Sequence, residues 1–530
     1  MALSKQIYLY SIDTDFLYTP EERNIHNKLS RLYIIRKKYA ANQYCKQFLN
    51  KIIKKYKQEL SDLLDANTNK DLVRQLDPTL LTDKRVIGLF DSSLTRALNL
   101  SINQVTTELF VLNVYFFQIL HDVIKNGFLY NGEKYVFFTA SAGQIRTKKC
   151  VCIKESSYER IRNTLMCGLS VEKINAAGGI NPNKYLSYLA LSNSATDVWD
   201  GFDIDKAIVV DDFETNVFGT VDFIDDSTYE ITRQQMNVPV PHMDGAGIML
   251  DNPTRMIRGP WLKGLLIYFS FDKFIKEKCS DGDCVVTDIW GQSYHIIADG
   301  IKYILTKSQM KLWKYYSSWA EYKEYFKKYH CEICYCNIEE EHIPKSRINY
   351  QMLQTLTDMS NDEIDRLIKP TVKEIESIGN DYKSTMRILG ATDFNQAPSY
   401  FQQALQIYPE LFKDKYCRSV LKDTKKSLVK KAKSGKLKVN GEYLFISPDL
   451  YAFCEWLFLG IKNPQGLLQN GEVYTKQFGN NSELACLRSP HLYKEWAIRR
   501  NVKNDKTEKW FGNTKCLYTS CHDLISKILQ

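Results

Sequence analysis

At the centre of this 530-residue chain the sequence reads Pro241-His242-Met243-Asp244-Gly245-Ala246-Gly247-Ile248-Met249, and eleven residues after Gly247 it continues Arg258-Gly259-Pro260-Trp261-Leu262-Lys263-Gly264-Leu265-Leu266. In the first segment, glycines on both sides of a small residue allow a tight backbone turn behind an acidic side chain. In the second, Lys263 stands between a Gly-Pro turn and an apolar run that predicts a buried strand. Gly264 allows a ligand to approach the backbone, so the pattern suits a lysine that holds a phosphate as a point charge. The alternative is a solvated lysine at the start of a strand.

The Asp-Gly-x-Gly block and the Arg-Gly-x-x-Leu-Lys-Gly block resemble the first double-psi β-barrel of the cellular RNA-dependent RNA polymerases of RNA silencing and of their single-chain bacteriophage relatives. The resemblance implies an α+β fold, a double-psi β-barrel polymerase with the first barrel complete and the second begun, and helical N-terminal and connecting regions. It implies that Lys263 is catalytic and that Arg258 and Lys263 bind the nucleotide. The structural motif comprises Asp244, Gly245, Gly247 and Gly264.

Two further blocks follow that family's order. Its Ser-x-x-Gln-x-Arg block resembles residues 141–146, which implies nucleic-acid contacts for Gln144 and Arg146. The alternative there is a polar turn whose arginine caps a loop. The family's Asn-x-Gln helix beyond the first barrel resembles the segment that contains Asn349 and Gln351, so we add these two residues to the structural motif.

A last block, Arg-x-Pro-x-Leu/His, opens the second barrel in this superfamily, and the residues from Arg488 onward resemble it. The resemblance implies that Arg488 contacts the incoming nucleotide near its sugar and that Pro490 fixes a turn. In the family the next loop, Asp-x-Asp-Gly-Asp, binds the catalytic magnesium, and the 530 residues contain no such loop. We expect Mg²⁺ as the cofactor, with its ligands beyond Gln530 and none in this chain. The chain alone is expected to be inactive.

The expected function is template-dependent RNA synthesis, with an RNA or DNA template and nucleoside triphosphates as partners, and with a second chain or a C-terminal half that carries the aspartates. One alternative is a noncatalytic nucleic-acid-binding subunit of a split polymerase. Another is a zinc-binding protein centred on Cys331, Cys334 and Cys336, because C-x-x-C spacing is typical of zinc sites. Asp203 and Asp205 would share one face of an extended segment, but their position in the family gives them no metal role.

Eight lysines between residues 422 and 438 form the most basic stretch of the chain. They predict either a track for template or product, since phosphates attract lysine, or a merely solvated surface. The pattern predicts a helix that ends at Gly435, followed by a hairpin with its turn at Asn440-Gly441. The nucleic-acid-binding candidates in this stretch are Lys425, Lys426, Lys430 and Lys431.

Composition sets broad limits on function. Lys and Arg number 71 and Asp and Glu 62, and the net charge of +9 permits a polyanionic partner without requiring one. Apolar runs fall short of the ~20 residues that span a bilayer, and the N-terminus meets charge too early for a signal peptide, so we expect no membrane partner and a cytoplasmic location. The 14 scattered cysteines favour reduced intracellular thiols.

The sequence patterns divide the chain into five regions. These are a helical N-terminal region (1–85), a slab-like mixed α/β region (86–235), a first double-psi β-barrel with a helical insertion (236–345), a helical connector with the lysine-rich tract and hairpin (346–480), and the start of the second, catalytic barrel (481–530). Within them, the apolar residues from Gln104 to Lys125 predict a buried helix. A stretch rich in Lys, Tyr and Trp from about Ser308 to Tyr329 predicts another helix, whose rings suit either contact with nucleic acid or the core. Asn131-Gly132 between two alternating runs predicts a β-hairpin.

Overall fold

The computed structural model describes residues 5–68, 70–395, 398–488 and 496–529, so Pro490 lies outside the described residues. In the part that is described, the strands form three larger sheets and three two-stranded ribbons, with helices between and around them. The α+β class predicted from the sequence is therefore confirmed.

The N-terminal part is built on one seven-stranded sheet. Its strands are β1 (Gln6–Asp13), β2 (Arg74–Gln75), β3 (Val86–Phe90), β4 (Val105–Asn113), β5 (Phe128–Tyr130), β6 (Glu133–Thr139) and β7 (Lys149–Lys154), in the order β2-β5-β6-β7-β4-β1-β3. Its helices are α1 (Pro20–Lys38), α2 (Gln43–Thr68), α3 (Ser93–Ala97), α4 (Phe117–Asn126), α5 (Ala142–Arg146), α6 (Glu155–Met166), α7 (Val171–Ala176) and α8 (Pro182–Leu189). Strand β1 pairs with both β3 and β4, so this sheet takes strands from both sides of residue 85. The division into five domains stays a prediction.

Local sequence signals account for several element boundaries in this sheet. Asn131 and Gly132 have φ angles of 49° and 80°, which is the left-handed conformation that a two-residue hairpin turn requires, and β5 pairs with β6 as predicted. Helix α1 begins with a capping box, in which Thr19 accepts from the Glu22 backbone and the Glu22 side chain accepts from Thr19.

A second seven-stranded sheet contains the central motif. Its strands are β8 (Asp197–Val198), β9 (Ala207–Val210), β12 (Ala246–Met249), β13 (Arg255–Gly259), β14 (Leu262–Tyr268), β17 (Tyr303–Thr306) and β18 (Cys334–Ile338), in the order β8-β18-β13-β14-β12-β17-β9. Between them the chain forms the ribbons β10 (Glu214–Ile224) with β11 (Ile231–Pro241) and β15 (Val285–Thr287) with β16 (Ser293–His295), and the helices α9 (Phe271–Lys278) and α10 (Trp319–Lys328). Strand β12 runs parallel to β14, and β9 parallel to β17.

The remaining chain forms a helical connector and a five-stranded sheet. The connector holds β19 (Lys345–Arg347), α11 (Tyr350–Gln354), α12 (Asn361–Ser377), α13 (Tyr382–Ile388), α14 (Tyr400–Ile407), α15 (Lys415–Lys433) and β20 (Lys438–Glu442). The sheet contains β21 (Ile446–Pro448), β22 (Glu472–Tyr474), β23 (Glu483–Leu487), β24 (Trp496–Asn501) and β25 (Leu517–Thr519), in the order β21-β25-β22-β24-β23. Its helices are α16 (Leu450–Leu459), α17 (Asp505–Phe511) and α18 (Ser526–Leu529).

The second and third sheets share one apolar core. Ile248 and Ile267 of the second sheet belong to the same buried cluster as Tyr474 and Tyr518 of the third, and Phe511 stacks on Tyr518 with ring centroids 4.1 Å apart. Such burial is the main force that holds two sheets together. The central motif is therefore anchored to the C-terminal sheet.

Three secondary-structure predictions are wrong. The apolar run from Gln104 is strand β4 followed by helix α4, because a buried strand and a buried helix look alike in sequence. The helix predicted from Ser308 begins only at Trp319. Asn440-Gly441 lies within strand β20, which pairs with β19 instead of folding back on itself.

The helix predicted to end at Gly435 does end there, since α15 stops at Lys433 and Gly435 has a φ of 80°. The expectation of reduced thiols is wrong for one pair, because Cys279 and Cys284 form a disulfide. Among the described residues, no helix is both long and apolar enough to cross a membrane.

Candidate functional site

The β13–β14 hairpin places two of the predicted site residues directly opposite each other. Arg258 and Lys263 are cross-strand partners, and the turn between their strands contains Trp261 with a φ of 61°. Trp261 is buried, and its Nε1 donates to the carbonyl of Met166 at 2.8 Å. This anchor fixes the turn and therefore the backbone positions from which the two cations extend.

A third cation, Lys311, approaches the same hairpin from the segment that follows β17. Its backbone N–H donates to the carbonyl of Trp261 at 2.8 Å, and the Lys263 N–H donates to the carbonyl of Gln309 at 3.1 Å. Residues 309–311 thus run alongside the start of β14. Sequence reasoning missed Lys311, although its position shortly after a buried strand is a signal similar to the one that drew attention to Lys263.

All three cations have lowered pKa values, and burial is the main cause in each case. Burial lowers the pKa of Lys263, and the charges of Arg258 and Lys311 lower it further. Burial also lowers the pKa of Arg258. It lowers the pKa of Lys311 as well, although the charges of Asp244 and Asp212 act to raise it. Within the described residues, none of the three cations has a carboxylate oxygen within 4.0 Å. The cluster is therefore a concentration of positive charge without a close countercharge.

Arg258 retains unused hydrogen-bonding capacity. Its Nη1 donates to the carbonyl of Ile257 at 2.7 Å, and its Nη2 lies 3.7 Å from the Met256 sulfur. Its Nε is buried and has no hydrogen-bond partner among the described residues. A buried donor without an acceptor is costly, so an anion that reached this guanidinium would find a donor available.

Two of the three glycines in the motif, Gly247 and Gly264, lie against a side chain of the protein itself. A Cβ on Gly247 would lie 2.5 Å from Gln309 Oε1, and one on Gly264 would lie 2.5 Å from Gln309 Nε2. Gln309 is fully buried, where its Oε1 accepts from Thr306 N–H at 3.1 Å and its Nε2 donates to the Leu265 carbonyl at 3.1 Å. The interpretation that Gly264 admits a ligand is wrong, because Gln309 fills that space.

Asp244 and Gly245 form the turn that precedes β12. Gly245 has a φ of 72°, its N–H donates to Ser308 Oγ at 2.7 Å, and its carbonyl accepts from Leu265 N–H at 2.9 Å. Asp244 is exposed, and its charge acts on Lys311. The turn therefore joins the acidic end of the motif to the segment that carries the third cation.

A cleft of about 710 Å³ lies next to the connector and brings together two other predicted residues, Asn349 and Lys431. Its charged lining consists of Lys345, Arg347, Lys431, Lys436 and Lys515 against Glu339 and Glu340. Burial raises the pKa of Glu339, which weakens the negative charge on that wall. The cleft is therefore mainly basic.

The other helical candidates have clear local roles. Asn349 caps α11 by accepting from Met352 N–H at 3.2 Å, and its Nδ2 donates to Gln351 at 3.3 Å. Gln144 completes the capping box of α5, with its Oε1 accepting from Ser141 N–H at 2.8 Å. Arg146, at the end of that helix, is exposed.

The lysine-rich helix presents its charge to solvent. The four candidates on α15 are exposed, and none takes part in an ion pair with another described residue. They are Lys425, Lys426, Lys430 and Lys431. Arg488 directly follows β23 in the third sheet, where it donates to the carbonyl of Leu529 at 3.5 Å. It thus belongs to a different sheet from Arg258 and Lys263.

The three clustered cysteines face different partners. Cys331 donates to the Thr164 carbonyl at 3.2 Å, Arg96 donates to the Cys334 sulfur at 3.1 Å, and Cys336 lies 3.5 Å from the Met256 carbonyl. The described residues contain no group of three His, Cys, Asp or Glu side chains that could hold a metal ion. The zinc-site alternative is therefore wrong for these cysteines.

Asp203 and Asp205 are occupied by structural contacts. Asp203 accepts from the Asp205 N–H at 2.9 Å, which caps a short 3-10 helix. Asp205 forms an ion pair with Lys327 at 2.5 Å. Both carboxylates thus serve local structure.

An α+β fold with a cluster of unpaired cations at a fixed hairpin is typical of a protein that handles phosphates. Residues 47–501 match the family model described as RNA dependent RNA polymerase, and the chain belongs to this family. It is 47% identical over 536 residues to the DNA-directed RNA polymerase YonO of Bacillus phage SPbeta. That alignment covers 100% of this chain and 63% of the phage protein, so the chain spans less than two thirds of the relative's length.

Proposed function

We propose that this chain takes part in template-directed RNA synthesis and that Lys263, Arg258 and Lys311 bind the triphosphate of the incoming nucleotide. The observation that carries the proposal is the cluster itself, in which Arg258 and Lys263 are cross-strand partners and the segment of Lys311 is hydrogen-bonded to the same hairpin. A triphosphate supplies the countercharge that these cations lack, and charge-assisted contacts to phosphate are among the stronger hydrogen bonds. The name of the phage relative, a DNA-directed RNA polymerase, supports the same reaction.

The three cations have different tasks in this proposal. Negative charge on the phosphate oxygens must be stabilised in nucleotidyl transfer, and positive groups already in place do this without reorganisation. Lys263 is a compact point charge on a fixed strand, whereas the planar guanidinium of Arg258 suits two phosphate oxygens at once. Lys311 adds charge from the neighbouring segment. We retain the proposal that Lys263 is the catalytic member.

The proposal extends to the architecture. We infer that the second sheet forms the first double-psi β-barrel, which is supported by the parallel pairs β12–β14 and β9–β17 on one side of the β13–β14 hairpin. The third sheet is then the start of the second barrel, and Arg488 would contact the nucleotide from there. Asn349, Gln351, Gly245 and the other motif residues support these barrels.

Nucleic acid is the second proposed partner. The basic cleft beside Asn349 and the exposed lysines of α15 form one region, since Lys431 belongs to both. Phosphate neutralisation by such lysines is independent of sequence, so the region suits either an RNA or a DNA template. Gln144 and Arg146 remain proposed contacts elsewhere on the first sheet.

Magnesium is the expected cofactor of this reaction, and two-metal sites of this kind need a cluster of carboxylates. The described residues do not fit such a site, since none of their acidic side chains form a group of three. Asp244 is exposed, and its charge acts on Lys311. We therefore propose that the magnesium ligands lie outside the described residues.

Nucleotide binding by the purified chain tests the proposal. A fluorescent adenosine triphosphate analogue should bind, and competition should weaken in the order triphosphate, monophosphate, nucleoside, because the cations recognise phosphate. Arg258→Gln should reduce triphosphate affinity about tenfold, the cost of one charged hydrogen bond. Arg233→Gln is the matched control, because Arg233 is an exposed arginine on the β10–β11 ribbon. Equal binding of nucleoside and triphosphate would disprove the proposed site.

A further inference from the structure

The most strongly basic element of the first half of the chain lies outside the proposed site. Helices α1 and α2 form a helical hairpin whose residues 23–58 include eleven Lys and Arg and no Asp or Glu. These residues alone exceed the net charge of +9 carried by the whole chain. The rest of the chain is therefore slightly acidic, and the hairpin is a distinct centre of positive charge.

The base of this hairpin is held firmly in the protein. Ile25 and Leu29 of α1 and Ile53, Leu60 and Leu64 of α2 belong to the apolar core under the first sheet. The apolar face at the base of these helices is thus covered by the protein, and the exposed apolar side chains, Ile34, Ile35 and Phe48, lie near the turn.

At the far end of the hairpin, both the charged side chains and the tyrosine rings are exposed to solvent. Arg23 pairs with Asp77, and Arg36 donates to Asn50 at 3.0 Å. The other nine cations are exposed and, within the described part of the chain, have no carboxylate within 4.0 Å. Around the turn, the side chains of Tyr39 and Tyr44 are 53% and 80% exposed. The exposed cations suit a polyanion, and the exposed rings suit unpaired bases. A nucleic acid supplies both.

A solvated surface does not account for this composition. Surface helices usually alternate charges, because opposite charges one turn apart stabilise a helix and like charges destabilise it. Lys51 and Lys55 are four residues apart on α2, and Lys54 and Lys57 are three apart, so this helix carries like-charge neighbours. The first acidic residue of α2 is Glu59, four residues after Lys55. A bound polyanion removes that repulsion.

We propose that the α1–α2 hairpin is a nucleic-acid docking arm, separate from the region around α15. Its lysines hold the phosphate backbone, and the exposed rings of Tyr39 and Tyr44 stack on unpaired bases at the tip, as aromatic side chains do in single-strand binding. The inference rests on the proposed function only in that nucleic acid is the partner. It assigns that partner to an element outside the polymerase site.

Fluorescence anisotropy with a labelled 20-nucleotide single strand and with the matching duplex tests the arm on the full chain. The arm variant is Lys37→Gln, Lys38→Gln and Lys46→Gln, and the control, which loses the same charge from exposed lysines on other elements, is Lys184→Gln, Lys328→Gln and Lys462→Gln. Each lost phosphate contact lowers the slope of log affinity against log salt by roughly 0.7 for a single strand, so the arm variant should lose about 2 units. The control should keep the slope of the wild type.

A second variant tests the rings without changing the charge. Tyr44→Ala should weaken single-strand binding about fivefold or more and leave duplex binding unchanged, because stacking needs an unpaired base. A slope for the arm variant equal to that of the control would overturn the inference. The inference would also be overturned if the arm variant lost binding to vesicles of anionic lipid while its nucleic-acid binding stayed intact. If the wild-type chain binds no nucleic acid, the proposed function fails as well, whereas nucleic-acid binding by the wild type with an unchanged slope in the arm variant refutes only the arm.

Discussion

Replacing Lys263 by Ala is the sharpest test of the cation cluster. A lysine and a phosphate charge 4 Å apart attract each other by about 4 kcal/mol at an effective dielectric constant of 20. The Lys263 side chain is partly open to solvent, and desolvation of both groups reduces the net gain to the 1.5 to 3 kcal/mol typical of charged hydrogen bonds, taken here as about 2. We therefore expect the dissociation constant for a triphosphate to rise roughly thirtyfold, with nucleoside binding unchanged.

The pH dependence gives an independent readout of the same contact. Phosphate binding requires the protonated amine, and burial together with Arg258 and Lys311 lowers the pKa of Lys263 below that of an ordinary lysine. Triphosphate affinity should therefore fall as the pH rises through this lowered value, earlier than for an ordinary lysine. Lys263→Arg should reduce the fall without abolishing it, because arginine stays charged while Lys311, whose pKa is also lowered, still loses its proton. The variant should bind more weakly at neutral pH.

The assay is a titration with a fluorescent triphosphate analogue, repeated across the pH range for the wild type and both variants. Lys302→Ala provides the matched control, since Lys302 is exposed on the same sheet just before β17 and has no ion pair with a described residue. Triphosphate affinity of Lys263→Ala within about twofold of the control would refute the phosphate role.

Two further predictions concern the scaffold. Arg74 is fully buried between Glu22 at 2.8 Å and Asp122 at 2.7 Å, so Arg74→Met leaves two buried carboxylates uncompensated and should lower the unfolding free energy by about 3 to 5 kcal/mol in urea denaturation. Gly264→Ala should destabilise by about 1 to 3 kcal/mol, because the new methyl meets the Gly245 carbonyl oxygen and the Gln309 side chain, whereas Gly201→Ala should cost less, since its nearest contact is 3.6 Å away. Equal melting temperatures for the two glycine variants would contradict this packing.

Short-range signals predicted the fold where one residue type has few conformational choices. Asn131-Gly132 is a hairpin because both residues accept positive φ, and Gly435 ends α15 for the same reason. The same Asn-Gly signal failed at Asn440-Gly441, where both residues continue a strand because β19, almost a hundred residues earlier, offers a partner. Pairing over that distance leaves no trace in the local pattern.

The apolar run from Gln104 shows a second limit of prediction from local sequence. Its apolar residues serve equally for a buried helix and for a central strand, and the choice was decided by neighbours, since β4 lies between β1 and β7. Family resemblance singled out Arg258 and Lys263, which lie opposite each other on one hairpin, but it gave no reason to include Lys311, which reaches that hairpin only through the pairing of its segment.

The function of Gly264 shows what a sequence motif conveys at this site. A glycine beside a lysine indicates a close approach, and the structure identifies the approaching group as the side chain of Gln309. Because Lys263 N–H donates to the Gln309 carbonyl and Lys311 N–H to the Trp261 carbonyl, the segment with Lys311 is hydrogen-bonded to the hairpin much as a strand would be. The separation of the two lysines is then set by backbone pairing before any ligand binds. Stabilisation of a phosphate transition state requires positive groups that are already in place, so in the proposed site the glycine would contribute through the scaffold and not through contact with the ligand.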